Sequence, residues 1–266
     1  MFYFLKLGGS LITDKNNPHT PKMETINRLA AEIMRARLKH PELKLVLGHG
    51  SGPFGHMPAA RYHTRNGVHT STEWLGFVEV WREARALDQI VLDALLDTGL
   101  PVISFPPSAL AITDRGSIKS WDISPLKTAL IQGQIPLVYG DVVYDISLGG
   151  TILSTEEAFV HMAKLLNPSR ILLAGLESGV CSDLPECKNI IPEITPANIQ
   201  KIAPWLTGSS AVDVTGGMAE KVKQMLSIVN QNHTTDALIF SGETQGQVES
   251  ALLGEQAGTR IYFKEV

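Results

Sequence analysis

Short apolar runs that stop at glycine or proline alternate along this chain with longer stretches of helical spacing. Phe2–Leu7 predicts a buried strand that runs straight into Gly8-Gly9-Ser10. Residues 44–47 predict a second, followed at once by Gly48-His49-Gly50-Ser51-Gly52-Pro53-Phe54-Gly55-His56. Further strands are expected over 101–105, Ile135–Tyr139, 170–174, 237–241 and 260–263, while 142–144 and 151–153 flank Leu148-Gly149-Gly150 as a hairpin. Helical spacing covers Met23–Lys39, 73–98, 156–166 and 218–230. This alternation predicts an α/β fold with an open, mostly parallel central sheet sandwiched by helices. Ligands of such sheets bind beyond the carboxyl ends of the strands, where Gly8, Gly48 and Gly175 open glycine-containing loops. No repeat or linker interrupts the pattern, so residues 1–266 read as one domain with an N-lobe over 1–165 and a C-lobe over 166–266. The stretch 183–208, rich in Pro and Asn, reads as an excursion from the second lobe.

Composition narrows this little. The 266 residues are 44% hydrophobic and 19% charged, as in an ordinary soluble protein. A net charge of −4 without a basic run argues against nucleic acid as partner, since phosphate-backbone binding needs clustered cations. The apolar N-terminal stretch is broken by Lys6 and Gly8-Gly9, so neither a signal peptide nor a membrane span is expected. Cys181 and Cys187 fit no zinc motif and are too few for a disulfide framework, which points to a reducing cytoplasm.

The chemistry is expected at three glycine motifs. In Lys6-Leu7-Gly8-Gly9-Ser10, glycines at a strand end let backbone N–H groups approach phosphate oxygens, and Lys6 adds a point charge. It is not a Walker A loop, and a Gly-Gly turn after a strand also serves as plain punctuation. The second loop contains G-x-G-x-x-G at Gly50, Gly52 and Gly55. It lacks the acidic residue some twenty positions on that a ribose-binding reading requires. His56 can donate to a phosphate oxygen or simply cap local backbone. In Thr215-Gly216-Gly217-Met218-Ala219-Glu220-Lys221, glycines open a helix and Lys221 sits one turn in, which suits an anion at the helix start or else leaves a solvated lysine. Together the motifs suit phosphoryl transfer, in which catalysis is mostly positioning and charge neutralisation.

These residues resemble the amino acid kinase superfamily: KLGGS near the N-terminus, a glycine-rich second loop, and TGGM with a lysine three residues later. The loop ending Phe54-Gly55-His56 is similar to that of the branch acting on isopentenyl phosphate, and next to that of the kinase that inactivates fosfomycin. The resemblance runs from Phe2 to the C-terminus. It implies ATP and magnesium, a prenyl monophosphate as acceptor, and a homodimer. It places the acceptor on the N-lobe and the nucleotide on the C-lobe. Lys6, Gly8, Gly9 and Ser10 would hold the β- and γ-phosphates, and Lys15 would reach the γ-phosphate. Gly52 would lie beside the nucleotide phosphates, with Gly217 and Lys221 closing from the other lobe. Ser51, Gly52, His56 and Thr155 would contact the acceptor. Asp141, in a Gly-Asp-Val segment, would orient the lysines or a magnesium-bound water, or simply end a strand. No protein metal ligand is implied. Two departures stand out. Where relatives read Ser-Gly-Asp-Asp this chain has Ser154-Thr155-Glu156-Glu157, passing the acidic role to Glu156. In place of the aspartate-rich nucleotide turn it has Ala174-Gly175-Leu176-Glu177-Ser178-Gly179-Val180.

A phosphate monoester is already anionic near neutral pH, so no base is needed to activate it. Repulsion is the problem: two unit charges at ~4 Å cost about 4 kcal/mol at an effective dielectric near 20. His56 on one side and Lys6, Lys15 and Lys221 on the other would offset it, giving in-line transfer to a diphosphate with ADP released. Trp74, Phe77, Val78 and Trp81 share a helical stripe that would be core or line a prenyl pocket. Fosfomycin-type phosphonate kinase activity and a non-catalytic nucleotide- or phosphate-sensing domain are the alternatives.

Overall fold

The computed structural model describes residues 1–15, 17, 19–183, 186–206 and 217–264. Twelve strands are found among them. In chain order they are β1 (Phe2–Leu7), β2 (Lys44–His49), β3 (Val102–Ser104), β4 (Ala111–Asp114), β5 (Ser117–Trp121) and β6 (Ile135–Tyr139). The chain continues through β7 (Asp141–Asp145), β8 (Gly149–Leu153), β9 (Arg170–Gly175), β10 (Glu193–Ile194), β11 (Asp236–Ser241) and β12 (Thr259–Ile261). The main sheet runs β10-β12-β11-β9-β1-β2-β6-β3. All its pairings are parallel except β11 with β12. The expected open, mostly parallel sheet is therefore present.

Its central strands are apolar on both faces because both faces are covered. Leu5, Leu45 and Leu47 pack with Leu29, Ile33, Leu87 and Val91 from helices Met23–Lys39 and Ser71–Asp97. Phe4, Val46, Val138 and Ile171 face Phe159, Met162, Met225 and Val229 from helices Thr155–Leu166 and Gly217–Gln231. Phe4 and Phe159, both fully buried, meet with ring centroids 5.0 Å apart. Truncating either to alanine costs about 3–5 kcal/mol.

Three sequence expectations need correction. The helix expected over 73–98 starts at Ser71, because Thr70 and Glu73 form a capping box one turn earlier than the apolar spacing begins. Its buried face runs through Phe77, Val80, Ala84 and Leu87, so Val78 of the expected stripe is 55% exposed. The hairpin expected near 142–153 is half of a four-stranded sheet, β5-β4-β7-β8. Asp145 ties that sheet together, accepting from Thr113 Oγ1 and from the N–H groups of Arg115, Gly116, Ser147 and Leu148. Burial would raise its pKa, but these donors outweigh burial and hold the carboxyl at about 2.

The sulfurs of Cys181 and Cys187 are bonded, with Cα atoms 5.2 Å apart, which departs from the reading of two cysteines outside any disulfide framework. The pair closes a short loop in the excursion after β9. No helix among the described residues is long and apolar enough to cross a membrane.

Candidate active site

The parallel order β9-β1-β2 sets three loops side by side at one edge of the sheet. Backbone bonds lock their bases: Gly8 N–H donates to Ala174 O at 2.8 Å and Gly50 N–H to Leu7 O at 3.0 Å. After β1 the chain makes a single helical turn, Gly9–Ile12, and Thr13 Oγ1 donates back to Gly9 O at 2.6 Å. The first two glycine motifs are in backbone contact. A Cβ on Gly9 would sit 2.5 Å from Gly52 N, closer than real side chains approach. Gly52 itself has φ +50°, and a Cβ there would meet Thr13 Oγ1 at 2.3 Å. Both glycines are needed for the turns to nest into one cradle of N–H groups.

The charges gather beside it. Lys6, next to last in β1, is 8% exposed and its Nζ pairs with Glu156 Oε1 in the first turn of helix Thr155–Leu166. Burial of Glu156 would push its carboxyl up. The ammonium of Lys6, followed by that of Lys221, outweighs this and holds it below the ordinary value. Lys6, Glu156 and Lys221 thus form one constellation drawn from β1 and two helix starts. A buried pair of this kind is a weak source of stability. Its consequence is positional: the ammonium of Lys6 is fixed beside the cradle, and the net charge of the three groups is positive.

The second loop becomes helical sooner than its glycines suggest. Gly52–Tyr62 is a helix with Pro53 in its first turn, and Ser51 precedes it as the buried N-cap. Its positive end lies at the Gly9 turn. His56 therefore stands on a helix, four residues after Gly52 and on the same face, rather than at the end of a loop. It is half-buried. Thr155 is 1% exposed, and its hydroxyl donates to His49 O at 2.6 Å. Asp141, also 1% exposed, opens β7 and accepts from the N–H groups of Ser108 and Val142. Burial, with a smaller contribution from Asp88, raises its pKa to about 6.

Lys15 is exposed on a loop that Thr13 and Pro21 close by a β-bridge. His19 docks that loop: its Nδ1 lies 2.8 Å from Glu83 Oε2, and its ring meets Phe54 edge-on at 5.5 Å. Lys22 Nζ donates to Ser10 O at 3.3 Å and braces the first turn. Gly217 opens helix Gly217–Gln231 with φ +64°, while Thr215 and Gly216 lie outside the described residues. Sequence reasoning assigns no role to His49, His19 or Lys22. Asp88 and Glu83, the partners of His49 and His19, lie far away in the chain, beyond the reach of a local motif.

Between helix Ser71–Asp97 and the smaller sheet, Trp74, Phe77 and Tyr144 pack with centroid separations of 5.2, 6.1 and 5.4 Å. Phe77 joins Ala59, Val68, Val80 and Val142 in a separate apolar cluster beside the histidine helix. Among the described residues no group of three or more His, Cys, Asp or Glu could hold a metal ion.

A sequence model of the amino acid kinase family matches residues 1–241. The chain belongs to the amino acid kinase family. Within this family it is 34% identical over 272 residues to the isopentenyl phosphate kinase of Methanocaldococcus jannaschii, covering 100% of both chains. It is 32% identical to that of Methanothermobacter thermautotrophicus, covering 98% of each. A crystallographically determined isopentenyl phosphate kinase superposes with TM-score 0.83 at 30% identity, over 98% of this chain and 100% of that one. The turn over 174–180 stands where the resemblance expects nucleotide contacts. Val180 is buried, and its N–H donates to Thr259 Oγ1 at 2.8 Å, tying the turn to β12. Glu177 and Ser178 of the same turn are exposed.

Proposed function

We propose that this kinase transfers the γ-phosphate of ATP to isopentenyl phosphate, releasing isopentenyl diphosphate and ADP. The observation that carries the reading is the backbone contact between the Gly9 turn and Gly52. It sets a lysine-backed phosphate cradle against the positive end of the helix bearing His56. Two phosphates held on such adjoining cradles meet in line, and full-length similarity to isopentenyl phosphate kinases supports the same acceptor.

The nucleotide phosphates lie on the Gly8-Gly9-Ser10 turn, with Lys6, Lys15, Gly217 and Lys221 around them. The acceptor phosphate lies over Ser51 and Gly52, held by His56 and by the start of the helix containing Thr155. An acceptor oxygen attacks the γ-phosphorus as the bond to the β-phosphate oxygen breaks, and that oxygen leaves on ADP. No proton is abstracted from the acceptor. Lys6 stabilises the charge spread over the transferring group, and Glu156 keeps Lys6 aimed at it. Magnesium would be carried by the nucleotide and would supply counter-charge to its phosphates, which suits its reluctance to shed water for an all-protein cage. Trp74, Phe77 and Tyr144 line the path of the prenyl tail, a use of apolar surface that small, polar fosfomycin would not reward. The homodimer implied by the resemblance and the cytoplasmic location read from cysteine usage belong to this reading.

A coupled ADP-release assay tests it. ADP forms with isopentenyl phosphate and not with fosfomycin. Turnover of fosfomycin alone would establish the phosphonate-kinase reading. ATP binding without turnover of any phosphorylated acceptor would establish a sensor.

A further inference from the structure

Behind the acceptor turn runs a buried polar chain that phosphoryl transfer does not itself use. His49, the last residue of β2, is fully buried. Its Nε2 lies 3.1 Å from Asp88 Oδ1 on helix Ser71–Asp97, and its Nδ1 lies 3.2 Å from Gly50 O. Asp88 Oδ2 accepts from Ser104 Oγ at 2.8 Å. Tyr139 stacks on the imidazole at 5.5 Å with 10° between the rings. The carbonyl of His49 takes the Thr155 hydroxyl.

A neutral imidazole has one donor and one acceptor. A carbonyl oxygen faces Nδ1, and a carboxylate that already accepts a hydroxyl proton faces Nε2. The partners therefore assign donors to both ring nitrogens, making an imidazolium–carboxylate pair that is neutral as a unit. The other charged groups acting on this patch are Asp141 on β7 and Arg85 on the helix of Asp88, both felt by Tyr139. Burying such a pair is a poor way to gain stability, so a positional role is the better explanation of it.

The peptide between Gly50 and Ser51 supplies that role. In a trans peptide the C=O and the following N–H point in opposite directions. Drawing the Gly50 carbonyl back onto the His49 ring turns the Ser51 N–H away from the ring, beside the start of helix Gly52–Tyr62, where anions bind. We infer that His49, held by Asp88, is a positioning residue that fixes the plane of the Gly50–Ser51 peptide for the acceptor phosphate. The inference rests on the acceptor occupying this turn, as in the proposed reaction.

Removing His49 alone would strand a buried carboxylate, so the test uses the double variant His49→Phe with Asp88→Leu, which replaces both partners by apolar groups. It folds, and its KM for isopentenyl phosphate rises ~10-fold, equivalent to about 1.4 kcal/mol, while its KM for ATP stays put. Asp88→Asn leaves a neutral ring able to keep its Nδ1 donor on Gly50, so it stays within about threefold of wild type, a span of roughly 0.6 kcal/mol. In wild type, ¹⁵N NMR finds both nitrogens of His49 protonated, assigned by the resonances lost in the double variant. Equal rises in both KM values, no rise in either, or a lone-pair nitrogen on His49 would each overturn the inference. Failure of wild type to turn over any phosphomonoester would instead sink the proposed reaction, and this role for His49 with it.

Discussion

In the proposed reaction, the acceptor and nucleotide sides of the cradle are built differently. On the acceptor side, polar groups are buried and already engaged within the protein: His49 with Asp88, Thr155 with the His49 carbonyl, and Asp141 with two backbone N–H groups. On the nucleotide side, Lys15, Glu177 and Ser178 meet solvent. The buried ion pair there is that of Lys6 with Glu156, and Lys221 lies near it. A preorganised site has little reorganisation left to undergo as charge develops. ATP brings several phosphates and its own magnesium, so its side can rely on the ligand to order exposed groups. A monophosphate with an apolar tail brings one anionic group, so its side must be set in advance.

Breaking the shared centre has the largest effect. Lys6→Met removes the fixed positive charge at the transferring group, and kcat falls by about 10³–10⁴. The substitution also leaves Glu156 buried beside Lys221 without its nearest partner, a cost of roughly 3–5 kcal/mol in stability. Adding Glu156→Gln separates the two effects: thermal denaturation recovers and kcat does not. Recovery of kcat in the double variant would mean that Lys6 acts by neutralising Glu156, not the phosphates.

His56→Ala separates the two sides. In the proposed reaction it deletes the imidazole that holds the acceptor phosphate while leaving the Gly9 turn, Lys6 and Lys221 in place. The expected result is a loss of about 10² in kcat/KM for isopentenyl phosphate, from one hydrogen bond to a charged phosphate. ATP affinity, measured by titration calorimetry without acceptor, stays within about twofold, or roughly 0.4 kcal/mol. A matching loss in ATP affinity would place His56 on the nucleotide side and collapse the distinction.

How much of this was readable in the sequence depends on distance along the chain. The first two glycine motifs are local, so the strand-end turns and their relation to phosphate are written in adjacent residues. The parallel sheet is legible because its strands are apolar on both faces. The Lys6–Glu156 pair spans 150 positions, and the resemblance singles out each residue without pairing them. His49–Asp88 spans 39, and its one local trace is an aspartate amid Ala84, Leu87 and Val91 on the buried face of a helix. The β7–β8 half of the smaller sheet is legible as a hairpin, but the other half is not, because β4 and β5 are polar and short, and a single carboxylate, Asp145, gathers their turns. The Trp74–Trp81 stripe shows the limit of periodicity: the spacing was helical, but which face lay inward depended on the sheet beneath.

The finest test of the acceptor side is Asp141→Asn. The folded protein holds this carboxyl at about 6, from burial and then Asp88, against 3.8 for the ordinary group. Native Asp141 therefore binds its proton more tightly than the unfolded chain does. Its raised value favours folding at low pH, and that advantage is lost as pH climbs from 3.8 through 6. Asparagine cannot ionise, and it keeps one carbonyl acceptor for the two N–H groups of Ser108 and Val142. At pH 4 the variant is less stable than wild type by about 1 kcal/mol, the worth of the lost hydrogen bond. By pH 8 the difference moves about 2 kcal/mol in the variant's favour, because wild type then carries a buried charge. Urea denaturation at the two pH values reads this directly. A difference that does not move with pH would mean that Asp141 ionises normally in the folded protein, and that the ground behind the acceptor turn is less sealed from water than its neighbours suggest.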